Sequence, residues 1–89
     1  MRIWKYTLLP VDLQTLQMPV GARFLSAQLQ EGQPQIWALV DENAPLEPRN
    51  IAMYDTGQSI YAPIWNNPSL FIGTFQTEAF VFHAFEVKE

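Results

Sequence analysis

Leu70 to Val87 reads LFIGTFQTEAFVFHAFEV, two apolar runs on either side of a short polar turn. Phe, Ile, Val and Thr fill both runs, and side chains of this kind suit the pleated surface of a strand. With Thr77 and Glu78 as a two-residue loop, the cross-strand pairs follow by counting outward. One face then pairs Phe71 with Ala84, Gly73 with Phe82 and Phe75 with Phe80. The other pairs Leu70 with Phe85, Ile72 with His83 and Thr74 with Val81. The first face sets large beside small at two of its three levels, as interdigitating layers do, with Phe82 covering the strand glycine Gly73. Both faces are apolar, and a chain of 89 residues has little interior in which to hide them. The phenylalanine face, Phe71, Phe75, Phe80 and Phe82, is therefore expected to meet a second copy of the chain in a homodimer or higher oligomer.

Upstream, the same two-residue period recurs. Trp4, Tyr6 and Leu8 alternate with Lys5 and Thr7 until Pro10, which has no N–H to offer a ladder. Leu13 to Met18 reads as a short strand or, alternatively, a turn of helix. Arg23 to Gln30 and Gln35 to Asp41 form a hairpin around Glu31-Gly32-Gln33-Pro34, with Leu25, Ala27 and Leu29 on one apolar face. Ile36 to Val40 is apolar on both faces, which marks a central strand. Asp41 to Pro48 is a polar loop, Arg49 to Tyr54 a strand, and Asp55-Thr56-Gly57 a turn, after which Gln58 to Ser69 is irregular. The fold expected is all-β, one domain over residues 1–89, a small barrel or sandwich of six to seven mostly antiparallel strands. Its core is expected to include Trp4, Tyr6, Leu25, Leu39, Ile72 and Val81.

Composition narrows the function. Five basic residues against nine acidic give a net charge of −4, so the basic footprint of a nucleic-acid binder is missing. Charged residues are only 16% of the chain and aromatics are 13%, a surface chemistry that favours association. The absence of cysteine excludes disulfides and thiolate chemistry. No apolar run approaches the roughly 18 residues of a membrane span, and MRIWKYTLLP lacks the apolar stretch of a signal peptide. No membrane partner, no cofactor and a cytoplasmic setting are expected.

Chemistry is hard to place. His83 is the single histidine, and a triad or metal site would need partners that no motif spacing supplies. It reads as a packing residue. Ser26, Ser59 and Ser69 lack the context of a nucleophile elbow, and Gly21, Gly32, Gly57 and Gly73 are too dispersed to cradle phosphate. Asp41-Glu42 reads as a solvated turn. No enzyme and no metal site are expected. Tyr54, Tyr61 and Trp65 lie among amides and prolines, and with Arg49 they could form a stacking-plus-cation site for a nucleotide or a partner side chain. Trp65 could instead fold over a sheet edge. Arg23 could reach a ligand phosphate or stand exposed on its strand.

Four blocks, Ile3-Trp4-Lys5-Tyr6, Met18-Pro19-Val20-Gly21-Ala22, Trp37-Ala38-Leu39-Val40-Asp41, and Gly73-Thr74-Phe75-Gln76 with Val81-Phe82-His83-Ala84-Phe85-Glu86, occur in that order. Together they resemble a family of small proteins of tailed phages and prophages, over nearly the whole chain. Gln58 to Leu70 departs most from the pattern. The resemblance brings no catalytic residues with it. It implies a phage origin, action in the cytoplasm of an infected bacterial host, and a role in host takeover or counter-defence. The expected function is a non-catalytic protein that sequesters a small ligand such as a nucleotide signal. The alternative is an inhibitor that caps a host protein with the C-terminal hairpin, and a small hydrolase or lyase using His83 is a third reading.

Overall fold

The computed structural model describes residues 1–60 and 70–88. Seven strands make up the fold: β1 (Arg2–Thr7), β2 (Leu13–Pro19), β3 (Arg23–Gln30), β4 (Gln33–Val40), β5 (Leu46–Asp55), β6 (Phe71–Gln76) and β7 (Val81–Val87). They form two antiparallel sheets, ordered β1-β4-β3 and β2-β5-β7-β6, packed as a sandwich and not closed into a barrel. Leu13–Pro19 is the strand of the two readings offered for it. No helix among the described residues is long and apolar enough to cross a membrane.

Strand alternation explains the interior. Trp4, Tyr6, Phe24, Ala27, Ile36, Ala38 and Val40 face inward from the three-stranded sheet. Leu16, Met18, Ile51, Met53, Phe75, Phe82 and Ala84 meet them from the other. Leu8, fully buried, plugs the crossover from β1 to β2. The doubly apolar β4 is indeed central, with its second face turned outward.

The β3–β4 hairpin turns on Glu31 and Gly32 alone, both at positive φ (53° and 79°). Such a turn matches the twist of its strands and tolerates only residues that can occupy left-handed space. Pro34 therefore belongs to β4, opposite Leu29. In a two-residue hairpin the pair next to the closing pair exchanges no hydrogen bonds, so the missing N–H costs the β3–β4 ladder nothing, and on the β1 side the Pro34 carbonyl accepts from the Leu8 N–H at 2.9 Å.

A bulge corrects the expected core. Between Phe24 and Ser26 the register of β3 shifts, so Leu25 and Ser26 together oppose Trp37. Phe24 enters the interior and Leu25 leaves it, 50% exposed. The simple alternation Leu25-Ala27-Leu29 misses this because one inserted residue reverses every side chain before it. Leu39 and Val81 are likewise half-buried rather than core. Leu39 sits in the outward row Ile3-Leu39-Arg23. Trp4, Tyr6 and Ile72 do pack against the buried clusters.

The terminal hairpin turns on four residues, Thr77 to Phe80, instead of two. Thr77 Oγ1 accepts the N–H groups of Ala79 and Phe80 (3.2 and 2.8 Å), and the Thr77 N–H reaches the Phe80 carbonyl at 2.8 Å. That hydroxyl stabilises the wider loop. The register moves by two, to Phe75↔Phe82, Thr74↔His83 and Gly73↔Ala84. A shift of two preserves which residues share a face, so Gly73, Phe75, Phe82 and Ala84 remain together. Gly73 is therefore not covered by Phe82, which stacks on Phe75 at 5.4 Å. Its cover comes from the other sheet: a Cβ built on Gly73 would lie 2.5 Å from the Ala27 Cβ. Strands β3 and β6 approach so closely that only glycine fits.

The phenylalanine face is thus divided. Phe75 is 1% exposed, and burying such a ring stabilises the fold by about 2–3 kcal/mol. It has no surface left for a second subunit, because the three-stranded sheet covers it. Phe82 is half-buried beside it. Phe71 leaves the face at a bulge between itself and Gly73, pairs with Phe85 and is exposed. Phe80 stands in the loop, 62% exposed.

Candidate functional site: the two ends of the sandwich

Arg49 lies on the inward row of β5 at one end of the sandwich, opposite Leu16. Its guanidinium clasps Glu86 bidentately, through Nε to Oε2 and through Nη2 to Oε1 at 3.0 Å. Nη1 donates to the Ala22 carbonyl at 2.9 Å, and the group lies 4.9 Å over the Phe24 ring. Both side chains are largely buried. The Glu86 hydrogen bond raises the Arg49 pKa above its ordinary value against the opposing effect of burial, with the charges of Glu86 and Glu47 adding to the rise. A planar guanidinium bonded on two sides and stacked on a ring is a clamp joining β5, β7 and β3. Three of its five N–H donors are engaged, so a ligand phosphate would compete with Glu86 for the group.

Arg49 and Tyr54 do not meet. Five residues apart on one strand, they point to opposite faces. Tyr54 lies on the outer face beside His83 and meets Phe85 edge-on at 6.1 Å between centroids. Arg23 is exposed on the outer face of the other sheet. Tyr61 and Trp65 lie outside the described residues. The described members of the expected nucleotide site therefore diverge onto three surfaces.

His83 is held at both ring nitrogens, Nδ1 by Thr74 Oγ1 at 2.9 Å and Nε2 by Thr56 Oγ1 at 2.8 Å. This ties β7 to β6 and to the turn after β5. Among the described residues no group of three His, Cys, Asp or Glu side chains is placed to hold a metal.

The opposite end is open and apolar. A cavity of about 280 Å³ has Met53 and Phe82 against the core, Pro10, Val11 and Phe80 as walls, and Asp12, Asp55 and Gln58 at its margin. Two hydrogen bonds tie its margin together: the Met53 N–H donates to the Asp12 carbonyl (2.9 Å), and the Asp55 N–H donates to the side-chain Oε1 of Gln58 (3.0 Å). Asp12, Asp55 and Gln58 are exposed. An apolar hollow with two carboxylates at its lip can take an apolar side chain that has a cation next to it.

Phe80 is the one member of this cavity's exposed wall that the sequence reading singled out for contact. Pro10, Val11 and Asp12 were missed because they read only as the break after a strand. Glu86 was legible: it shares the inward parity of Phe82 and Ala84, and an inward carboxylate calls for a cation.

Two packed antiparallel sheets with an apolar pocket at one end define a small β-sandwich. The chain matches, over residues 1–89, the model of a domain of unknown function, DUF7352, and belongs to that family. A search of curated proteins and a search of solved structures found no match.

Proposed function

We propose that this is a non-catalytic protein-binding domain that caps a partner protein with the turn end of its C-terminal hairpin. The observation that carries the reading is Phe80, an exposed aromatic at the wall of an apolar cavity, held out by a hydrogen-bonded loop rather than folded over the core. Aromatic anchors of this kind dominate protein interfaces. The resemblance to small phage proteins makes a bacterial host factor the partner class to test, with counter-defence as the role. The nucleotide-sequestering reading draws less support, since three of the five Arg49 donors go to Glu86 and Ala22 and Glu86 neutralises its charge.

The test compares wild type with Phe80→Ser and Val11→Ser as baits in host extract, alongside mass spectrometry of small molecules released on denaturation. A specific host protein retained by wild type and lost with both variants, at unchanged unfolding midpoint, is the expected result. A nucleotide in the released fraction, with protein capture indifferent to Phe80, overturns the reading.

A further inference from the structure

Charge is segregated between the two sheets. Strands β1, β3 and β4 contain Arg2, Lys5 and Arg23 and not one acidic residue, although the chain as a whole carries nine acids against five bases. Arg2 is paired with Glu42 at 2.6 Å, at the margin of the sheet. Lys5 and Arg23 have no carboxylate within 4 Å among the described residues; the Lys5 ammonium donates to Gln30 Oε1 at 2.8 Å.

Those two cations stand on the outer face of the three-stranded sheet, in rows set by the register. One row is Ile3-Leu39-Arg23 and the next is Lys5-Trp37-Ser26, with Leu25 turned outward beside it by the bulge. Ile3 is 62% exposed and Trp37 half-buried. A groove of about 260 Å³ runs between Ile3, Leu25, Ser26, Gln28 and Trp37.

We infer that this face docks an extended protein segment in which carboxylates flank apolar side chains. Apolar residues around a partly exposed tryptophan supply desolvation energy, and Lys5 and Arg23 supply the sign. Three strands of six to eight residues span roughly 10 by 20–25 Å, room for a segment of about six residues but short of a standard protein interface. A second copy meeting the face about a two-fold axis would bring cations of one sign together, which disfavours self-association here. Nucleic acid is disfavoured by the aliphatic Ile3, Leu25 and Leu39, which stack on no base, and by having only two free cations. This surface is independent of the Phe80 pocket.

The test is a titration of the isotope-labelled protein, followed by its amide and indole resonances. The probe is a ten-residue peptide alternating Glu and Leu, with a Lys-for-Glu peptide and a single-stranded oligothymidylate as comparators. The expected result is saturable shifts at Trp37, Ile3 and Leu25 with the Glu peptide only. Binding should weaken about tenfold in a Lys5→Glu, Arg23→Glu double variant and remain intact in Phe80→Ser. Both reversed side chains are exposed, so the unfolding midpoint should hold. The inference is overturned by no saturable shift at Trp37, by equal response to the Lys peptide, or by tighter binding of the oligonucleotide. It is also overturned by concentration-dependent shifts of the same residues without any peptide.

Discussion

The two ends of this sandwich differ in what they leave available. At the Arg49 end a full charge sits in a cleft, and the chain itself uses it: Glu86, the Ala22 carbonyl and the Phe24 ring take its donors and its face. At the Phe80 end there is no buried charge, yet an aromatic ring and an apolar hollow face outward. An arginine in a cleft suggests anion binding when read alone. Its neighbours decide otherwise, because a bidentate carboxylate neutralises it and fills the geometry a phosphate would use. The end without a buried charge is the end that leaves an aromatic ring exposed beside an apolar hollow.

The largest expected effect tests the Arg49 end. Glu86→Ala leaves the Arg49 guanidinium buried without its partner, a change that costs about 3 kcal/mol or more. Urea unfolding should show it as a lower midpoint, and Arg49→Met in the same background should recover much of the loss. A Glu86→Ala variant as stable as wild type would mean the pair is exposed and free for ligand. Next in size is Gly73→Ala, which drives a methyl into Ala27 between the sheets and should cost about 1–3 kcal/mol. Ala27→Gly should relieve it, and strictly additive losses in the double variant would show that the two strands do not touch.

Smaller effects concern groups without partners. The Tyr6 hydroxyl is buried with no hydrogen-bond partner among the described residues, and burial raises its pKa. A raised pKa means that the folded state keeps its proton after the unfolded chain has lost it. The contribution is constant below about pH 10 and falls as pH rises beyond that. Tyr6→Phe should remove that alkaline slope and leave stability at neutral pH equal or higher by up to about 1 kcal/mol. Smallest of all, Phe80→Ser should shift stability by no more than about 0.5 kcal/mol, since the ring is mostly in water already. A larger loss would make Phe80 a structural residue.

Strand content, the central place of β4 and the shared face of Gly73, Phe75, Phe82 and Ala84 were all readable from alternation alone. The reason is that strand side chains point to opposite faces in strict turn, whatever the strand pairs with. Even a wrong loop length left those faces intact, because the error was an even number of residues. Alternation says nothing of what a face meets. That Phe75 and Phe82 pack against a second sheet of the same chain was decided by the crossovers that fold β1, β4 and β3 over them. The bulge at Leu25 and the pairing of Arg49 with Glu86, 37 residues away, were likewise tertiary decisions. Each depends on close approach between segments distant in sequence, where contact distances of a few ångströms settle what local pattern leaves open.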